Sequence, residues 1–174
     1  ELGAAQAMKL VISPLLKGLQ ALHEKGIIHR DVKPANLFKG YEGNYLLGDL
    51  GLAQFEDKEA QTKTGAVVGT MHFVAPERMT NPKLIADSSD DCYAAAHTII
   101  KTLTGKHLRN LLPHHYPLLG MKAKPLTAEV LASCGIFEGM AQPLVKAVQW
   151  DRECRYKSAL KLLEDLKDGF RGRH

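Results

Sequence analysis

The chain has 174 residues, of which 45% are hydrophobic and 24% charged, with a formal net charge of +4. That length suits one domain with a sizeable core, and the composition excludes a disordered chain. The small charge is spread along the sequence without a Lys/Arg block interleaved with aromatics, which argues against nucleic acid as a partner.

The first predicted element is a helix from Met8, with Val11, Ile12, Leu15, Leu16, Leu19 and Leu22 recurring at the spacing of one buried face. Pro14 is expected to kink it or mark its start, and Gly26 to end it. Leu37–Lys39 and Tyr45–Gly48, separated by the turn residues 40–44, predict a short β-hairpin. Residues 49 to about 80 are rich in Gly, Thr and Pro without periodicity and are read as a long functional loop. After Asp87 comes an almost wholly apolar helix, Cys92 to Leu103, ended by Gly105 and belonging at the centre of the domain. Residues 106–126 read as irregular, followed by helices at about 127–133, 140–150 and 156–167. The expected fold is mainly α with one small hairpin. No apolar run reaches the length of a membrane span, and no signal peptide is visible. Cys92, Cys134 and Cys154 are odd in number and far apart, which suits reduced thiols of an intracellular, cytoplasmic protein better than disulfides or a zinc site.

The chemistry concentrates in Ile28–Gly40, where Asp31, Lys33 and Asn36 lie within six residues. Singly they have plain readings: a turn acid, a solvated cation and a loop cap. Asp49 could likewise begin an Asx-turn before Gly51. Together, His29-Arg30-Asp31-x-Lys33-x-x-Asn36 matches the pattern H-R-D-x-x-x-x-N. Asp49-Leu50-Gly51 is similar to D-F-G with Leu in place of Phe. Ala75-Pro76-Glu77 is A-P-E, extended upstream by Gly69, Thr70 and Phe73. Three such motifs in this order resemble the C-terminal lobe of a eukaryotic-type serine/threonine protein kinase, over essentially the whole chain.

The resemblance implies transfer of the γ-phosphoryl group of ATP to Ser or Thr hydroxyls of protein substrates, with Mg²⁺ or Mn²⁺. Asp31 would orient the acceptor hydroxyl and take its proton, and Lys33 would meet the migrating phosphoryl oxygens. Asn36 and Asp49 would hold the metal, brought together at the open end of the hairpin, with Phe38 under the adenine. Thr70 would bond to Asp31 and Lys33. Arg30 suggests control by activation-loop phosphorylation, with Thr62 and Thr64 as candidate sites. His29 is implied to support the loop by packing, and Asp91 to accept backbone N–H groups of the loop. Arg155 would pair with Glu77, and Ala96 departs mildly from a usual Gly. His114-His115, Tyr116 and Trp150 read as loop and packing residues.

Residues 1–174 contain no G-x-G-x-x-G loop and no V-A-I-K lysine. The whole chain is therefore expected to be a C-terminal lobe cut from a longer kinase, its partner being the missing N-terminal lobe. The alternative is a pseudokinase-like or solitary-lobe binding module without catalysis, although none of Asp31, Asn36 and Asp49 is lost.

Overall fold

The computed structural model describes residues 3–55, 72–81, 83–111 and 126–172. The first segment is helical from α1 (Ala4–Ala7) through a π-helical turn (Met8–Ile12) into α2 (Ser13–His23). The expected apolar face is inside: Val11, Ile12, Leu15, Leu16 and Leu19 are buried. Pro14 explains the π-turn. The Ser13 N–H reaches back five residues to the Met8 carbonyl, and Pro14 has no N–H to continue the ladder. Regular α-helix begins at Ser13, and the segment ends where Gly26, at φ 67°, turns the chain.

Two short antiparallel pairs follow. β2 (Leu37–Lys39) and β3 (Tyr45–Leu47) form the expected hairpin, with Leu37 opposite Leu47 and Phe38 opposite Leu46. β1 (Ile27–Ile28) pairs with β4 (Gln54–Phe55), which the sequence had not suggested. These strands have two residues each and carry no alternation, so only tertiary pairing defines them. The expected long loop over 49–80 therefore contains β4 and also α3 (Pro76–Thr80), which uses Pro76 at its first turn.

The core is organised around α4 (Ser88–Thr104), buried without interruption from Ser89 to Ile100. It begins ahead of the expected Cys92 because Asp87 caps it and Asp90 closes a capping box, the Asp87 N–H donating to Asp90 Oδ2 at 3.2 Å. Gly105, at φ 70°, ends it. The region expected to be irregular, 106–126, contains α5 (Leu108–Leu111), whose first N–H donates to His97 Nε2 of α4 at 2.9 Å.

α6 (Ala128–Ser133), α7 (Glu138–Ala147), a 3₁₀ turn (Arg152–Cys154) and α8 (Ala159–Arg171) complete the helical body. α8 is tied to α2 through Gln20 Oε1, which accepts from Ser158 Oγ and the Leu160 N–H, each at 3.1 Å. Among the described residues no helix is long and apolar enough to cross a membrane.

Candidate phosphoryl-transfer site

The motif residues lie on a loop that leaves β1, passes through a 3₁₀ turn (Pro34–Asn36) and enters the hairpin. Its backbone is fixed from below by Asp91 of α4, 1% exposed. Asp91 Oδ2 accepts the His29 N–H at 2.8 Å, and Oδ1 accepts the Arg30 N–H at 2.9 Å. A third group, absent from the sequence argument, completes this anchor: His23 Nε2 lies 2.8 Å from Asp91 Oδ2. Arg30 is held at φ 68°, a left-handed conformation unusual for a residue with a Cβ. Two charge-assisted bonds on either side of that peptide hold it there.

His29 is fully buried and joins the two halves of the site. Its Nδ1 accepts the Asp31 N–H at 3.3 Å, so Nε2 carries the proton and donates to the Gly48 carbonyl at 3.1 Å. The Gly48 N–H in turn donates to the Asn36 carbonyl at 3.0 Å. The end of the hairpin is thus stitched to the loop immediately before Asp49. Asp49 is itself left-handed, at φ 62°, with its Oδ1 accepting the Gly51 N–H at 3.2 Å in an Asx-turn.

The structure brings Asp31, Lys33 and Asn36 into direct contact. Lys33 Nζ donates to Asp31 Oδ2 at 2.7 Å. Asn36 Nδ2 donates to the same oxygen at 3.0 Å and to the Asp31 backbone carbonyl at 2.8 Å. Asp49 is exposed at the neighbouring hairpin end. Phe38 lies on β2, 56% exposed, close over Gly48, where an added Cβ would come within 2.9 Å of its ring. Among the described residues no cluster of three or more His, Cys, Asp or Glu could hold a metal by itself.

A second cluster supports the A-P-E segment. Arg155 grips Glu77 through two bonds of 2.7 Å. Its remaining donors reach the Gln149 and Trp150 carbonyls at 2.6 and 2.9 Å, and the guanidinium lies 4.9 Å from the Tyr93 ring centre. Burial alone would raise the Glu77 carboxyl, but these bonds and the Arg155 charge hold it below its ordinary range. Arg152, a residue that sequence reasoning passed over, lies 3.0 Å from Asp87, 3.6 Å from Asp90 and 3.9 Å from Glu77. Asp90 is pushed up to about 7 by burial, against the pull of Arg152 and with the like charge of Glu77 adding to the rise. Arg30 lines a small cavity with Arg78 and Asp90, and its guanidinium is lowered by burial and then by the charge of Arg78. Thr62, Thr64 and Thr70 lie outside the described residues.

Comparison with known proteins decides the family. A protein kinase domain matches residues 3–115. The chain belongs to the protein kinase family. It is 31% identical over 170 residues to the serine/threonine-protein kinase PknL of Mycobacterium tuberculosis, covering 92% of this chain and 40% of that protein. It is 38% identical over 98 residues to the probable serine/threonine-protein kinase PknB of Corynebacterium glutamicum, covering 55% of this chain and 15% of that one. A third relative, the serine/threonine-protein kinase pkn2 of Myxococcus xanthus, is 28% identical over 166 residues, covering 90% and 20%. The chain thus spans at most 40% of the length of these relatives. The helical body with its small hairpin is the architecture of a kinase C-terminal lobe.

Neither His23 nor Arg152 belongs to a motif, and their roles appear only when distant segments meet. The capping box around Asp87 and Asp90 was legible as an acid followed three residues later by another acid.

Proposed function

We propose that this chain is the catalytic lobe of a serine/threonine protein kinase, transferring the γ-phosphoryl group of ATP to hydroxyls of protein substrates. The supporting observation is the Asp31 carboxylate, fixed by Lys33 at 2.7 Å and Asn36 at 3.0 Å on a loop anchored to Asp91. A carboxylate so held can orient an incoming hydroxyl and accept its proton without reorganising. Lys33, already beside it, supplies positive charge where phosphoryl oxygens gather.

Both amide protons of Asn36 are committed to Asp31, which leaves its Oδ1 as the atom to meet a cation. With the exposed Asp49 carboxylate this makes an all-oxygen donor pair, which fits hard Mg²⁺ or Mn²⁺ and not a soft metal. The ion, when bound, neutralises charge on the ATP phosphates. Phe38 offers the adenine an apolar face, Thr70 is assigned to substrate positioning, and Arg30 to a phosphate on Thr62 or Thr64. An intracellular setting belongs to the same reading, supported by three free thiols at Cys92, Cys134 and Cys154.

The test uses a form of the chain joined to an ATP-clamping lobe. Asp31→Asn should lower kcat for a serine or threonine peptide by about 10²–10⁴-fold with ATP affinity changed only a few-fold. Parallel loss of ATP binding and turnover would make Asp31 structural. Asp49→Ala should abolish the metal dependence of nucleotide binding, read by calorimetry with and without Mg²⁺, and an unchanged metal dependence would remove Asp49 from the site.

A further inference from the structure

Three histidines and a phenylalanine from three separate segments meet at the start of α5. The ring of His97, on α4, lies 4.7 Å from that of Phe73 and 5.9 Å from that of His107, centre to centre. His107 in turn lies 4.8 Å from His72 and 5.5 Å from Phe73. None of the three histidines stands at a fixed position of the H-R-D, D-L-G or A-P-E motifs. Two features decide how this cluster responds to a proton. His97, fully buried, accepts the Leu108 N–H at Nε2 at 2.9 Å, so its own ring proton sits on Nδ1. Leu108 is also fully buried and opens α5, a helix of one turn that needs its neighbours to persist. The ring spacings of 4.8 to 5.9 Å then set any charge on one imidazole against a charge on the next. Among the described residues no three His, Cys, Asp or Glu side chains are arranged to hold a metal.

We propose that His72, His97 and His107 form a pH-sensitive clasp, which fastens α5 and the Phe73 segment to α4 when neutral and releases both in mild acid. A proton on His97 Nε2 turns the acceptor of the Leu108 N–H into a donor and strands that N–H in the interior. The Phe73 face attracts one cation, but it cannot replace the lost acceptor. Once released, a histidine titrates near its ordinary value of about 6.5. The closed form excludes a proton that the open form takes up, so the clasp is tight above that pH and loosens as pH falls through it. The charged groups on the elements that meet here have partners of their own. Lys101 of α4 donates to the Gly105 carbonyl, Arg78 of α3 to the Leu84 carbonyl, and Glu77 is held by Arg155. Arg30, Asp90 and Asp91 line a small cavity with Phe73 and Arg78. The Asp31–Lys33 pair comes with the loop that meets α4 where Thr98 donates to the Val32 carbonyl. Lys106 and Arg109 flank His107 and Leu108 in sequence, so the charges on α5 add to the cost of a further cation. That release disturbs substrate binding rests on the kinase reading, since Phe73 leads into Ala75-Pro76-Glu77; the clasp itself does not.

Amide hydrogen exchange of the full chain, corrected for the intrinsic effect of pH on exchange, reads the clasp without nucleotide. Between about pH 7.5 and about pH 5.5 the protection of the Leu108 amide should fall about tenfold, the ratio expected for one histidine that titrates near 6.5 only when released. The amide of Leu163, buried in α8, should keep its protection over the same range. His97→Gln sets an amide oxygen that does not titrate within reach of the Leu108 N–H, so in this variant Leu108 should stay protected throughout. Para-fluorophenylalanine at position 73 should give a fluorine resonance that moves over that range in the wild-type background and stays still with His97→Gln. Thermal midpoints at about pH 7.5 establish that the variant folds, and if it does not, the comparison of Leu108 with Leu163 in the wild type decides. Unchanged protection of Leu108 overturns the proposal, as does an equal loss at Leu163, which would be acid unfolding of the whole body. A pH dependence that survives His97→Gln, or a fluorine signal that ignores pH, overturns it as well. Because ATP and Asp31 take no part, a failed kinase assay leaves this result unaffected.

Discussion

At the scale of single residues, the loop that carries Asp31, Lys33 and Asn36 rests on Asp91 of the helix beneath. Asp91 carries the backbone of His29 and Arg30 as well as the His23 ring, so its removal strands three donors in a buried site. Asp91→Ala should destabilise the protein by on the order of 3–5 kcal/mol in urea unfolding, with Asp91→Asn recovering part of the loss. If both variants unfold like wild type, the left-handed Arg30 is held by something else. Asp90, one position earlier, behaves oppositely. Its folded-state pKa of about 7 lies above the ordinary 3.8, so the stability of the protonated form is fully present below about pH 4 and lost as pH rises towards 7. Asp90→Asn imitates the neutral acid. It should raise the thermal midpoint relative to wild type at pH 8 and change it little at pH 4, and a pH-independent difference between the two proteins would refute the burial argument. Much at this scale was legible in sequence. Asp31, Lys33, Asn36 and Asp49 stand in motifs that the sequence alone displays, and the first three meet in the fold. The contacts of His23 with Asp91 and of Arg152 with Asp90 were not legible, because packing assembles them from segments that share no local pattern.

Among the elements, periodicity located every helix built on a single apolar face, since burial of that face is what makes the helix. It located poorly what depends on a partner. β1 and β4 exist only as each other's ladder, and α5 leans on His97. The contact between α7 and α8 is of this second kind. A Cβ on Gly139 would run into the Gly169 carbonyl, and a Cβ on Gly169 would run into the Gly139 carbonyl. That Gly139 carbonyl is the one Pro143 would have bonded had it possessed an N–H, so the helix gives up a ladder bond where the neighbouring backbone comes closest. Elsewhere in a helix Gly→Ala gains up to about 1 kcal/mol. Here Gly169→Ala should lose about 1–3 kcal/mol net, because backbone cannot step aside as a flexible side chain can. Urea denaturation of Gly169→Ala beside Gly18→Ala, inside α2 with its nearest neighbour Leu47 at 4.0 Å, separates the two effects. A stabilised Gly169→Ala would mean that the two helices can part without cost.

For the molecule as a whole, the body and the site have different requirements. The body closes on itself: α4 is buried along most of its length, and α2, α7 and α8 surround it. The site does not close. Phe38 is 56% exposed and Leu50 is 53% exposed, both beside the residues assigned to ATP and metal. Large apolar side chains left bare next to a carboxylate mark a surface suited to being covered. In the family this chain belongs to, a glycine-rich loop and a strand lysine close over the phosphates, and residues 1–174 contain neither motif. Without that closure water has access to the phosphates, and the loss of ordered positioning removes the main source of rate. The 174-residue chain should therefore fold cooperatively, bind nucleotide weakly at best and show no measurable transfer to peptides, whereas a form of it joined to a glycine-rich loop and strand lysine should be active. The measurement is transfer from radiolabelled ATP to a serine peptide, run on the chain, on the form joined to a glycine-rich lobe and on Asp31→Asn forms of both. Activity of the chain that survives in its Asp31→Asn form would betray a contaminating kinase. Robust activity lost in that form would make the bare lobe a self-sufficient enzyme, and Phe38 and Leu50 would then have to be covered by the substrate itself.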